Sequence, residues 1–258
     1  TLYLPERITQ QHVSSKLPYG SGILTKQIKT LKKFYPFINV DTIGTSVLGN
    51  QIQEIRIGKG LKKVHMNASF HANEWITTMV LMSLLNQYLI SLTNRSPLRG
   101  INTINLYNET ELSIVPMVNP DGVDLVLNGP PASSRQEVME INEGSDEFVH
   151  WKANIRGVDL NNQFPANWEI EQDRKEPKSP APRDSPGKTS LSEPESRLSP
   201  RSVHRLTISY TLSLRHVDVK GIRQEGEVRG SFRLYFGVGA DCHRSSGDNL
   251  EFPRPQQG

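Results

Sequence analysis

The sequence predicts an α/β fold: a mixed, mostly parallel sheet flanked by helices. Three observations predict it. Residues 62–71 alternate like a strand and run straight into a long apolar helix; a second short apolar run lies at 112–118; and the first part of the chain carries apolar residues at helical spacing. With 258 residues and 35% hydrophobic content, one large domain with a sizeable core is expected.

Taken in order, Leu24, Ile28, Leu31 and Phe34 predict a short amphipathic helix over 22–34, closed by Pro36. Runs at 37–43 and 51–57, separated by Gly44, Gly49 and Asn50, predict an antiparallel hairpin at a sheet edge. Val64, Met66, Ala68 and Phe70 alternate toward His71, and residues 76–92 form an apolar helical stretch, which together make a strand–turn–helix unit. The run 112–118 predicts a second buried strand, closed by Asn119-Pro120-Asp121-Gly122, which reads as a rigid turn. Segments 126–153 and 165–196 lack periodicity, the latter being rich in Pro and charge, and read as long surface loops.

Charge divides the chain. Residues 1–196 carry 20 Lys and Arg against 21 Asp and Glu, whereas 197–258 carry 10 against 6, nine of the ten being Arg. All three tryptophans, Trp75, Trp151 and Trp168, lie in the front part. The tail arginines are scattered among apolar residues without a basic stripe or aromatic platform, which argues against a nucleic-acid partner. The composition switch instead fits translation in a shifted frame, and 197–258 is read as an aberrant basic tail that leaves the C-terminal part of the fold incomplete. Cys242 is the single cysteine, so no internal disulfide or cysteine-based metal site is available. No apolar run is read as long enough to span a bilayer, so no membrane is expected. A start at Thr1 without Met or a signal pattern predicts a piece of a longer protein.

His71 and Glu74, three residues apart where a strand meets a helix, place two zinc-type ligands at the carboxyl edge of the sheet, where open α/β folds put their sites. On its own, His-x-x-Glu is a weak signal that reads first as a capping carboxylate beside a partly buried histidine. His65, two turns of the pleat earlier, reads as structural, and His12 and His150 as loop residues.

Three blocks occur in order: Ser69-Phe70-His71-Ala72-Asn73-Glu74-Trp75, then Ile114-Val115-Pro116-Met117-Val118-Asn119-Pro120-Asp121-Gly122, then Arg156-Gly157-Val158-Asp159-Leu160-Asn161-Asn162-Gln163-Phe164-Pro165. Together they resemble hallmark segments of the zinc carboxypeptidase superfamily, over about residues 20–196. The form of the third block is similar to bacterial γ-D-glutamyl-diamino acid endopeptidases, which cut peptidoglycan stem peptides. This resemblance implies a zinc carboxypeptidase-like peptidase domain over 20–196, Zn²⁺ as cofactor, and a peptide or peptidoglycan stem peptide as substrate. It also implies a monomer acting at the bacterial cell wall or in the cytoplasm of a sporulating cell. Residues 1–19 form an N-terminal extension whose Thr1-Leu2-Tyr3-Leu4-Pro5 resembles the end of a LysM module.

By position, the resemblance makes His71 and Glu74 the first two zinc ligands and Asp159 the acid that orients His71. It makes Asn161 a binder of the substrate carboxylate. Asn162 stands where carboxypeptidases carry an arginine that would hold a terminal carboxylate bidentately. That departure argues against a simple C-terminal exopeptidase, and against zinc deacylases of the same fold. Arg156 is a candidate polariser of the scissile carbonyl, with an ordinary surface ion pair as the alternative. Beyond Ser196 the resemblance stops; His216, ending the strand-like run 210–216, is the one candidate for a third ligand, and no general-base glutamate is assignable. The competing expectation is a non-catalytic wall-peptide-binding member of the same fold.

Overall fold

The structure, a computed structural model, describes residue 13, residues 18–165 and 168–198, and the strands at 209–216 and 232–238. His12 and residues 1–5 lie outside the described residues, as does most of 197–258. Six strands form one sheet in the order β1-β2-β4-β3-β5-β6. They are β1 (Asn39–Thr45), β2 (Gln51–Gly58), β3 (Lys62–Asn67), β4 (Thr110–Val115), β5 (Ser209–His216) and β6 (Phe232–Val238). The sheet is mixed, as expected. Parallel pairing is confined to the central trio, β3 with β4 and with β5, while β1–β2, β2–β4 and β5–β6 are antiparallel.

The two faces are chemically different. Ile55 and Ile57 of β2, Val64 and Met66 of β3 and Leu112 and Ile114 of β4 share the apolar core with α1 (Ser21–Phe34) and α2 (Ile76–Thr93). Helix α1 forms where expected, burying Leu24, Ile28 and Leu31; each such side chain contributes roughly 1.5–3 kcal/mol. The alternate positions, Glu54, Ser113, His65 and Asn67, are buried on the opposite face. There Ile52, Phe70, Val115, Val118 and Leu160 make a smaller apolar cluster.

Helix α2 corrects one expectation. The stretch Ala72–Thr93 holds an 18-residue window of mean hydropathy 1.3, long and apolar enough to cross a bilayer by length and composition, but 61% of that window is buried inside the fold. Leu81, Leu85, Leu89 and Leu92 are spent on the core against the sheet.

Three further corrections concern segments read as turns or loops. Asn119-Pro120-Asp121-Gly122 is the start of a helix, α4 (Pro120–Asn128): the Asn119 side chain accepts from the Gly122 N–H at 3.0 Å and Pro120 occupies the first turn, where its missing N–H costs nothing. A turn and a helix start use the same residue types, and the sequence signal does not separate them. Segment 126–153 holds α5 (Arg135–Ile141) and buries Val138, Phe148 and Trp151 in a second cluster, with Phe148 and Trp151 packed edge to face at 5.9 Å. Segment 165–196 holds α6 (Trp168–Arg174) and buries Ser185, Glu193, Glu195 and Ser196. It is anchored by polar side chains instead of an apolar stripe. Helix α3 (Thr103–Glu109), unremarked in the sequence, is capped by Asn102 accepting from Asn105.

Candidate metal centre

Strand β3 ends at Asn67, four residues before His71, because Ser69 turns the chain at φ 51. That left-handed conformation is costly for a non-glycine residue. Here it is held on several sides: the Ser69 N–H donates to Thr77 Oγ1 at 3.0 Å, and its hydroxyl meets Thr78 Oγ1 at 2.7 Å. The Ser69 carbonyl accepts from the Asn119 N–H at 3.0 Å. The turn lifts His71 off the strand line and starts a 3-10 turn, Ala72–Glu74, that brings Glu74 round beside it.

The ligand turn is strapped to the segment around residue 153. The Ala72 and Asn73 N–H groups donate to the carbonyls of Lys152 and Trp151 at 3.1 and 3.0 Å. The Asn119 amide donates to the carbonyls of both Phe70 and Ala153, at 3.2 and 3.0 Å. Gly122 permits this, since a Cβ there would lie 2.7 Å from the Ala153 carbonyl oxygen. From Ala153 the chain runs through a tight loop to Asp159. Asn154, fully buried, accepts the N–H groups of Arg156 and Val158 at 3.0 and 3.1 Å, and Gly157 takes φ 72.

These supports bring three predicted residues together. His71 Nδ1 lies 3.0 Å from Glu74 Oε1, and His71 Nε2 lies 3.3 Å from Asp159 Oδ1. All three are buried. Asp159 is fixed in turn by the N–H groups of Asn161 at 3.0 Å and Asp184 at 3.3 Å. Burial alone would lower the His71 pKa, but the hydrogen bonds and charges of Asp159 and Glu74 overcome it and raise it to about 9. The Asp159 pKa is raised by burial but brought below the usual carboxylate range by the His71 contact.

These residues suit zinc. With Nε2 given to Asp159, the other imidazole nitrogen is presented to the Glu74 side, the tautomer a ligating histidine needs. The second carboxylate oxygen, Glu74 Oε2, is buried and has no hydrogen-bond partner among the described residues. An unpartnered carboxylate oxygen beside an imidazole nitrogen is a costly arrangement in a protein without a cation and a natural one around a divalent metal. Among the described residues no group of three His, Cys, Asp or Glu is set to hold a metal.

The other predicted residues separate. Asn161 and Asn162 lie on the 3-10 turn Leu160–Asn162 that follows Asp159, both half-buried, with the Asn162 amide reaching the Asp184 carbonyl at 3.5 Å. Arg156 is turned to Glu193, 3.6 Å away, with its side chain 52% exposed. The side chain of His216 lies outside the described residues. Its backbone closes β5, three residues beyond the Ser213–Asn67 pair, so it ends on the same carboxyl edge as His71. His65 is structural, as expected, and His150 is exposed.

Four supporting residues escaped the sequence reading. Asn119 and Asn154 brace the loops, and Gln163, fully buried, accepts from Ser192 Oγ and the Glu193 N–H, each at 3.1 Å. Lys152, whose carbonyl holds Ala72, is the basic residue whose backbone is tied directly to the ligand turn. Their one sequence signal is the density of Asn and Gln beside the motif.

The chain is similar to known proteins in sequence and in fold. Residues 24–218 match the zinc carboxypeptidase family profile. The chain is 50% identical over 192 residues to γ-D-glutamyl-L-diamino acid endopeptidase 1 of Lysinibacillus sphaericus, covering 74% of this chain and 48% of that protein. It is 49% identical over 194 residues to the uncharacterised protein YqgT of Bacillus subtilis, covering 74% and 51%. The chain thus spans about half the length of these relatives. In fold it is similar to bovine thrombin-activatable fibrinolysis inhibitor, with TM-score 0.55 and 18% identity over 72% of this chain and 55% of that one. It is likewise similar to carboxypeptidase A of Helicoverpa armigera, with TM-score 0.53 and 22% identity over 72% and 42%. By the extent of the family match and the identity to these relatives, the chain belongs to the zinc carboxypeptidase family.

Proposed function

We propose that this chain is the zinc-holding part of a peptidase that hydrolyses an amide bond, the γ-D-glutamyl-diamino acid bond of peptidoglycan stem peptides being the best-supported target. The observation that carries the proposal is the pairing of His71 Nδ1 with Glu74 Oε1 at 3.0 Å beside Glu74 Oε2, which has no partner among the described residues. The half-identity to the Lysinibacillus endopeptidase supports the choice of bond.

When bound, zinc supplies a Lewis acid and lowers the pKa of a water at neutral pH. His71 and Glu74 hold it, with His216 as the candidate third ligand. Asp159 fixes the His71 ring through Nε2, so that Nδ1, now turned to Glu74, would be the nitrogen offered to the metal. Asn161 and Asn162 offer amide donors and acceptors to the substrate from the turn next to Asp159. Neither carries a charge, so they suit a peptide end bound by neutral hydrogen bonds better than a lone carboxylate. Arg156 reaches a developing oxyanion only by leaving Glu193, which its exposed position allows. The same reading takes the protein as a monomer acting on wall peptide without a membrane.

A second reading, wall-peptide binding without turnover, is favoured by the sequence after Ser196, which carries no assignable general base. Incubating the zinc-loaded chain with an L-Ala-γ-D-Glu-diaminopimelate peptide separates the two. Release of L-Ala-D-Glu supports the peptidase; saturable peptide binding without product supports the second reading; neither binding nor cleavage rejects both.

A further inference from the structure

On the opposite side of the sheet from the main core, a cavity of about 10 Å³ is lined by His65, Asn67 and Glu195 among Ile52, Val115 and Val118. Its size is about that of one water molecule. The hydrogen bonds around it determine what it must hold. Ser113 donates its single hydroxyl proton to Glu54 Oε1 at 2.6 Å, so its contact with His65 Nδ1 at 2.8 Å must be received from the imidazole. Burial lowers the His65 pKa to about 4, so the ring is neutral and Nε2 is a bare acceptor. That nitrogen is buried and has no partner among the described residues.

Glu195, which also lines the cavity, is fully buried. Its Oε1 accepts from the Val47 N–H at 3.1 Å, and its Oε2 from the Asn154 amide at 3.4 Å. The charged groups facing it are Asp121 of α4, which accepts from Ser46, Leu48 and Asn50, and Glu193, which shares the Asn154 amide at 2.8 Å. Both are acidic; Arg156 is engaged with Glu193, and Arg197 donates to the carbonyls of Leu191 and Ser192. Burial, with Asp121 adding to it, raises the Glu195 pKa to about 7. The cavity is therefore lined by an acceptor lacking a proton, His65 Nε2, and by a carboxyl group that holds its proton up to about pH 7.

We propose that the cavity is a single-water site joining the protonated Glu195 carboxyl to Nε2 of His65. The acid O–H donates to the water, and one O–H of the water donates to Nε2. The bridge ties β3 to Asn154, and Asn154 sets the loop that carries Arg156 and leads into Asp159. Glu195 is thereby a positioning residue for that loop, and ionising it replaces the bridge with a buried charge among acids. The site stands apart from the zinc reading, because neither half of its test depends on metal or turnover.

Glu195→Gln in the full chain tests the linkage. A carboxyl whose folded pKa is raised contributes stability that is lost as pH rises from about 4.5 to about 7. Relative to wild type, the variant's unfolding midpoint should therefore rise by roughly 5 °C between pH 5 and pH 8. A constant offset at all pH values overturns the proposal. Long-range ¹H–¹⁵N correlation on the wild-type imidazoles supplies the second test, and holds even if the variant does not fold. A neutral Nδ1–H tautomer for His65, with an Nε2 shift that moves between pH 6 and 8, is expected. A proton on Nε2, or an Nε2 shift unmoved over that range, overturns it.

Discussion

His65 lies on β3 and His71 six residues on, past the strand's end, and they are almost equally buried, 1% and 7% exposed, yet their proton affinities move in opposite directions. His71 is raised to about 9 and His65 lowered to about 4. Burial acts on both in the same sense, against the charged ring, so it does not explain the difference. The partners do. His71 sits between two carboxylates, whereas His65 gives its Nδ1 proton to a serine already committed to Glu54 and has no partner for Nε2 among the described residues. One histidine is prepared to exchange a proton for a cation; the other is prepared to remain neutral.

The sharpest way to break this contrast is to remove the carboxylates from His71. Glu74→Gln is expected to lower zinc affinity by more than about 100-fold, beyond what loss of an outer hydrogen bond causes, and to bring the His71 pKa down toward that of His65. Calorimetric zinc titration and imidazole NMR measure the two effects. Asp159→Asn should lower zinc affinity by about 10–100-fold, because it frees the ring without removing a ligand. A loss as large as that of Glu74→Gln would mean that Asp159 itself binds the metal.

The pH dependence follows from the sign of the His71 shift. Its folded pKa lies above its ordinary value near 6.5. In the metal-free chain its ion pairs therefore contribute fully below about 6.5 and are lost as pH rises through about 9. Zinc displaces the Nδ1 proton, so zinc affinity should climb over the same window. Melting curves of the metal-free chain and zinc titrations at several pH values should show opposite trends.

On the other side of the comparison, Ser113→Ala should destabilise the fold by about 1–3 kcal/mol, since it leaves the His65 Nδ1–H and Glu54 Oε1 without their partner. Zinc affinity should be unchanged. The smallest effect is expected for Arg156→Ala, whose half-exposed pair with Glu193 is worth under about 1 kcal/mol. If turnover falls while stability and zinc binding hold, Arg156 acts on the substrate.

What the sequence made legible has the same physical basis. Period-two and period-3.6 patterns located β2, β3, α1 and α2, because those elements bury one apolar face or are apolar throughout. The ligand turn was legible because His71 and Glu74 are close in sequence, and Asp159 through the family motif. The illegible parts are held by polar contacts between distant residues: Asn119 to Ala153, Asn154 to Glu193 and Glu195, and Gln163 to Glu193. Segment 165–196 therefore read as surface loop although Glu195 and Ser196 are fully buried. His65 was recognised as structural, but its Ser113–Glu54 chain joins three strands and leaves no local signature.

The most direct test of the metal centre is zinc stoichiometry on the purified chain, by elemental analysis after dialysis against zinc at neutral pH, beside His71→Ala. One zinc per chain, lost in the variant, is the expected result. No zinc in the wild type, or equal zinc in both, would contradict the assignment of His71 and Glu74.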